Sequence, residues 1–419
     1  MATVAVTGAS GFIGSHVCQN LVQHGYHVRA CVRDKHNLKK TKHLVAMNTN
    51  DSSGEKMGGS LELFQADMMI EGSYDVVFDG CEAVFHVAGN FGTDRRWLDA
   101  TSVPGRPPPI DEVLGEAAAF TTAMTKSYDQ GVYDSYIVSM KLILDSIARS
   151  KTVKRLIFTS SGCAGSVISA VDNDDDYSID DNAYGKGKVE CEKLIYFFGQ
   201  EHNIICCSSC PAHVLGPILA APLHDMMYQH RLGEMFGGKY CLDMNWEVCD
   251  VRDIAETQRL MFESSSIRNG ARYFNGATDQ DKLTTTGIVT LLRELFPGQA
   301  NQIADAPQDA DGDDESSSSN SDGSGSDSSN GGFGDETANW LLHRASRWVD
   351  PEVELGLRRH AVAETVRDTI VSMQMFNMIN RKDVPMQELR NFYQVAEMDD
   401  CEEEMEYLRL ELLKHVATL

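Results

Sequence analysis

Within its first 25 residues the chain passes from a short apolar run, Val4-Ala5-Val6, through the turn Gly8-Ala9-Ser10-Gly11-Phe12-Ile13-Gly14 into a helical pattern. Phe12, Ile13, Val17, Leu21 and Val22 carry that pattern, and Gly25 stands where a left-handed helix C-cap belongs. The order strand, glycine turn, helix is a β-turn-α unit, and it recurs. Tyr26–Val32, Leu61–Gln65 and Ala83–Val87 read as further strands, followed by Leu156–Thr159 and Ile204–Cys207 on either side of a helical stretch at 184–199. Apolar strands with two buried faces, alternating with helices, predict an α/β fold: a Rossmann-type, doubly wound parallel sheet covered on both sides.

Two excursions interrupt the alternation. Residues 92–130, with Pro104 and Pro107-Pro108-Pro109, separate the fourth strand from a helix expected near Val132, and they leave the carboxyl edge of a strand, where an open α/β sheet takes its ligands. They are expected to shape a substrate entrance. Residues 305–336, which include Asp311-Gly312-Asp313-Asp314-Glu315 and the serines that follow, hold too little apolar surface to offset ordering entropy and are expected to be a disordered linker. The apolar pattern resumes at Trp340 and predicts a helix running past Val366, Ile370 and Val371, a return to the body over 337–380. Residues 381–419 read as a helical, acidic C-terminal tail.

The formal net charge is −25, from 37 basic and 62 acidic residues. Residues 172–181 hold six acids, 305–336 ten and 397–406 seven, so the rest of the chain is near −2. Neither nucleic acid nor an anionic membrane surface suits such a chain. No apolar run approaches the ~18–20 residues of a membrane span. The start Met1-Ala2-Thr3-Val4 reads as strand rather than secretory signal, and 11 scattered cysteines fit reduced thiols, so a cytoplasmic location is expected. Cys206, Cys207, Cys210 and His213 lack the spacing of a zinc shell, and no metal is expected.

Three patterns carry chemistry. Backbone N–H groups of the Gly8, Ser10, Gly11, Phe12, Ile13 and Gly14 turn, at a helix N-terminus, suit a dinucleotide diphosphate. The second strand ends Val32-Arg33-Asp34-Lys35; the cations Arg33 and Lys35 favour the 2′-phosphate of NADP, while Asp34 keeps NAD possible. Tyr184 and Lys188, at i and i+4, share a helix face, and an ammonium beside a phenol draws its pKa down for proton transfer. A hydroxyl to orient a carbonyl is offered by Thr159-Ser160-Ser161 at a strand end, with Ser161 placed over the crevice and Ser160 facing either core or cofactor. His86 reads as a satisfied strand histidine.

The chain resembles the extended short-chain dehydrogenase/reductases, in particular the branch of dihydroflavonol 4-reductases and cinnamoyl-CoA reductases. The likeness rests on Val6–His16, Val28–Asp34, Gln65-Ala66-Asp67, Val84–Ala88, Val153–Ser161, Tyr184 with Lys188, and Pro211–Pro217. It covers residues 2 to about 295 and returns from Leu355 to Ile370. It implies a Rossmann domain over 1–210 and a smaller substrate-binding lobe, mainly 211–304. It also implies catalysis by Ser161, Tyr184 and Lys188, a 2′-phosphate held by Arg33, adenine contact by Asp67, and Ala88 and Pro211 beside the cofactor. Two departures stand out. Val138-Ser139-Met140-Lys141 lacks the Asn-Gly pair many relatives carry, which puts a relayed proton path in doubt, and Asp181-Asn182-Ala183-Tyr184-Gly185-Lys186 lacks the cinnamoyl-CoA reductase signature. The expected function is an NADP-dependent oxidoreductase acting on a small carbonyl or secondary alcohol, as monomer or homodimer. Its alternatives are an NAD-retaining nucleotide-sugar epimerase or dehydratase and a non-catalytic dinucleotide-binding regulator.

Overall fold

A computed structural model describes residues 2–48, 58–89, 117–165, 183–220, 227–239, 244–276, 282–305, 348–376 and 378–379, with backbone alone over 117–130 and at 227. Strand β1 (Thr3–Thr7) leads through the glycine turn into α1 (Phe12–Gln23), and β2 (His27–Val32), α2 (Leu38–Ala46), β3 (Ser60–Gln65), the short α3 (Asp75–Phe78) and β4 (Ala83–His86) follow. After α4 (Ala117–Ser150) come β5 (Arg155–Thr159), α5 (Ala183–His202) and β6 (Ile205–Pro211). The second part contains β7 (His213–Leu215), α6 (Met227–Phe236), β8 (Asn245–Trp246), β9 (Val248–Asp250), α7 (Val251–Glu263) and β10 (Arg272–Asn275). It closes with β11 (Leu283–Thr284), α8 (Thr285–Leu295), a 3-10 turn at Pro297–Gln302, α9 (Pro351–Leu355) and α10 (Val362–Met375).

Seven strands form one sheet in the order β10-β6-β5-β4-β1-β2-β3, every neighbouring pair parallel. The expected doubly wound α/β sheet is therefore present. Side-chain alternation explains how both faces are buried. Val4, Val6, Val28, Ala30, Phe85 and Ile157 face α1 and α7, whereas Ala5, Cys31, Val84, Leu156 and Phe158 face α3, α4 and α5. Each fully buried Val, Ile, Leu or Phe side chain contributes about 1.5–3 kcal/mol. Helix α1 ends where the sequence predicts: Gly25 takes φ 88°, and the Tyr26 amide donates back to the Leu21 carbonyl at 3.0 Å.

Three boundaries differ from expectation. The helix foreseen near Val132 begins at Ala117, because Ala117-Ala118-Ala119 are strong helix formers that extend it backwards. The remaining excursion, 90–116, lies outside the described residues, as do the acidic segment over 306–347 and the tail over 381–419. No single helix runs through Val366 and Ile370 from upstream: Pro351 starts α9, Gly356 ends it at φ 71°, and α10 starts afresh at Val362. The chain also does not divide at residue 210. Strand β10 rejoins the main sheet beside β6, and α7 packs on the α1 face. The lobe is built instead from β7, β8, β9, β11, α6, α8 and α10 around Leu215, Phe236, Trp246, Ile288, Leu292 and Ile370.

Candidate active site

Strand order reverses between β1 and β4, the switch point at which an open α/β sheet leaves a crevice beyond its strand ends. The predicted site residues gather along that edge. At the centre, Gly8 has φ 65°, and a Cβ there would meet the Ala88 backbone at 2.8 Å. A Cβ on Gly14 would lie 2.1 Å from the Gly8 carbonyl oxygen. The turn thus folds tightly against the end of β4. Its helix α1 starts at an extended Gly11 with no side-chain cap and no acid in the first turn, so the N-terminal dipole is uncompensated from within. Phe12 packs against Ile218 and Met373, and Ile13 against the α1-side core, which anchors the backbone of the turn. A cradle that a single methyl would fill, at a bare helix N-terminus beside Ser10, fits a dinucleotide diphosphate.

At one end of the crevice Arg33 and Lys35 are exposed beyond β2, and Asp67 follows β3. The Asp67 carboxylate accepts from the Met69 amide at 3.0 Å, while its own amide donates to the Ser73 hydroxyl. Burial pushes the Tyr74 phenol up; Asp67 pushes it further and Arg33 opposes, so both charges act on the same ring.

The other end carries the proton-transfer candidates. Strand β5 delivers Ser160 and Ser161 just past its carboxyl terminus, and α5 begins at Ala183, which puts Tyr184 and Lys188 on consecutive turns. The Ser161 side chain neighbours the Tyr184 phenol and acts to lower its pKa, and its hydroxyl accepts from the Cys163 amide at 3.2 Å. Lys188 is buried and donates to the Thr159 carbonyl at 2.9 Å. Its Nζ lies 5.7 Å from the Tyr184 ring centre, 4.8 Å from that of Tyr136 and 4.9 Å from that of Phe158. Burial lowers the Lys188 pKa to about 8 and raises that of Tyr184 above its ordinary value. Sequence reasoning has the ammonium draw the phenol down; in the folded chain desolvation is the larger effect, and it favours the protonated phenol of Tyr184. Ser160 faces inward and donates to Glu192. Pro211 is buried at the end of β6, where its carbonyl accepts from the Gly162 amide at 2.8 Å and ties down the loop after Ser161.

Several neighbours escaped sequence reasoning. Tyr136 of α4 sets its ring edge-on to Tyr184, with centroids 5.8 Å apart, and a Cβ on Gly187 would strike that ring at 2.9 Å. Nothing in a long helical pattern marks such a position. In the lobe, Tyr228 lies tilted on His213 with ring centres 4.4 Å apart and edge-on to Trp246, and its charge acts on Tyr184. His86, read as a satisfied strand residue, is one: Nδ1 meets the Thr7 hydroxyl at 2.8 Å, and burial lowers its pKa to about 3. Cys206, Cys207 and Cys210 are buried thiols in β6.

Fold and site together define a dinucleotide-binding α/β protein of the short-chain dehydrogenase/reductase type. The chain belongs to the NAD dependent epimerase/dehydratase family, whose model matches residues 4–103 and 106–275. It is 32% identical over 312 residues to a dihydroflavonol 4-reductase of Gerbera hybrida, covering 71% of this chain and 73% of that one. Against a dihydroflavonol 4-reductase of Solanum lycopersicum it is 32% identical over 233 residues, and there the match spans about half of each chain, 52% and 51%. With cinnamoyl-CoA reductase CAD2 of Medicago truncatula it shares 28% over 306 residues, 70% of this chain and 81% of the relative. Among solved structures, yeast methylglyoxal/isovaleraldehyde reductase Gre2 complexed with NADPH superposes with a TM-score of 0.59 at 18% identity, covering 90% and 99% of the two chains. Among the described residues no helix is long and apolar enough to cross a membrane.

Proposed function

We propose that the protein is an NADP-dependent oxidoreductase that interconverts a carbonyl compound and its secondary or primary alcohol, in the manner of the dihydroflavonol-type ketone and aldehyde reductases it resembles. The observation that carries this reading is the buried Lys188, tethered to the Thr159 carbonyl and 5.7 Å from the Tyr184 ring centre beside Ser161, at the same sheet edge as the glycine cradle. Gly8, Ser10, Gly11, Phe12, Ile13 and Gly14 would hold the diphosphate through backbone N–H groups, Arg33 and Lys35 the 2′-phosphate, and Asp67 the adenosine, with Ala88 and Pro211 lining the cleft. When bound, the dinucleotide supplies or accepts the hydride.

The chain's own residues manage the proton. In the reducing direction the Tyr184 hydroxyl donates to the substrate oxygen, and its raised pKa keeps that proton in place until charge develops there. Ser161 orients the same oxygen. Lys188, tethered to the Thr159 carbonyl, stabilises the phenolate left behind.

NADPH oxidation against a panel of ketones and aldehydes, run with wild type and Tyr184→Phe, tests the proposal. A positioned general acid is worth about 10²–10⁴ in rate. Loss of at least about 100-fold in kcat, with NADPH affinity within about three-fold, is expected. Equal turnover by the phenylalanine variant would overturn it.

A further inference from the structure

Behind the proton-transfer residues lies a buried ion pair that none of the chemistry above uses. Glu192 stands one helical turn beyond Lys188 on the same face of α5, and its side chain is 2% exposed. One carboxylate oxygen accepts from Ser160, the residue beside Ser161, and lies 3.6 Å from the Cys210 thiol. The other meets Arg272 Nε of β10 at 2.6 Å, an ion pair rather than an aligned hydrogen bond. Arg272 is 4% exposed, its terminal nitrogens make no hydrogen bond, and the Trp348 ring covers the guanidinium at 4.3 Å.

Such a pair is a poor source of stability. Two desolvated charges commonly do no better than apolar residues of the same volume, and breaking one costs about 3–5 kcal/mol. Its position suggests another role. The titratable groups facing Lys188 are His86 from β4, Tyr136 from α4, Tyr184, Cys191 and Glu192 from α5, and Cys210 from β6. His86 stays neutral, and burial pushes both thiols and the Tyr184 phenol up into their uncharged forms at neutral pH. Glu192, the carboxylate among them, acts against desolvation of Lys188 and raises its pKa.

We propose that Glu192 is a positioning residue, its carboxylate keeping Lys188 in the ammonium form while fixing the strand end that carries Ser161. Arg272, under its Trp348 cover, fixes that carboxylate in place. The inference rests on the reductase reading for its kinetic consequence but not for its electrostatic one.

The test is a pH titration of Lys188 by NMR in protein labelled with 13C at lysine Cε, the resonance assigned by its loss in Lys188→Arg, alongside the pH profile of turnover. In Glu192→Gln the Lys188 titration should move acidward by about one pH unit, the size of a charge interaction across one helical turn at an effective dielectric near 20, partly offset by Arg272. The alkaline limb of kcat should move with it, while KM for NADPH stays within about three-fold. Glu192→Gln/Arg272→Met, which leaves no unpaired guanidinium, should shift Lys188 in the same direction and serves if the single variant does not fold. Ser160→Ala should lower kcat by about ten-fold and leave the Lys188 titration in place, since it removes one hydrogen bond to a charged group. An unmoved Lys188 titration in either folded Glu192 variant would overturn the proposal. Absence of any carbonyl turnover by wild type would instead sink the reductase reading and leave the titration to decide this one.

Discussion

Replacing Gly14 by alanine puts the glycine cradle to a direct test, because the usual effect of that substitution has the opposite sign. Alanine within a helix is favoured over glycine by about 1 kcal/mol. Here the added methyl would sit 2.1 Å from the Gly8 carbonyl oxygen, 2.8 Å from its carbon and 3.1 Å from the Ala9 Cα, all of them backbone. Real Cβ contacts do not fall below 3.0 Å, so turn and helix must separate by at least 0.9 Å. The turn cannot yield freely, since Gly8 already abuts the Ala88 backbone and the Gly11 amide donates to the Gly8 carbonyl at 2.9 Å. A displacement of that size moves the N–H groups off the diphosphate, and loss of two or more charge-assisted hydrogen bonds at about 1.5–3 kcal/mol each predicts at least a 100-fold weaker NADPH affinity. Gly131→Ala in α4 is the matched control: among the described residues nothing lies within 4 Å of its new methyl, so it should raise the melting temperature and leave affinity alone. Calorimetric titration with NADPH and thermal denaturation of both variants supply the measurements. NADPH affinity in Gly14→Ala equal to wild type would refute the assignment of this turn as the diphosphate seat.

Arg33→Asp should shift the ratio of kcat/KM for NADPH over NADH by about ten-fold or more towards NADH, since it turns an attraction to a 2′-phosphate into a repulsion; an unchanged ratio would remove the basis for naming NADP. Acid should destabilise the fold through buried histidines. Burial lowers His16 and His43 to about 4 and His86 to about 3, so each contributes stability that is complete above the unfolded value near 6.5 and is lost as pH falls towards the folded value. At pH 5 the loss is about 2 kcal/mol for each imidazole, opposed in part by Asp253 and Asp368, whose raised pKa values favour the folded state in acid. Melting temperatures should therefore fall between pH 7 and pH 5, and fall less in His43→Gln; a flat profile would contradict the neutral assignment.

What the sequence by itself determined is whatever the chain encodes over a few consecutive residues. The glycine turn, the strands that flank it, the Gly25 stop and the shared face of Tyr184 and Lys188 are local, set by steric limits and by the periods of strand and helix. Composition likewise located the three acidic tracts. Tertiary structure alone decided the rest, because the deciding contacts join residues far apart in sequence. It turned Ser160 onto Glu192, placed Arg272 against Glu192 across 80 positions, and brought Tyr136 of another layer against Tyr184. It returned β10 to the main sheet after the chain had left for the lobe. It also settled the electrostatics: the i, i+4 spacing names a lysine and a tyrosine, but how far each is withdrawn from water, and hence which holds its proton, depends on the layers that close over them.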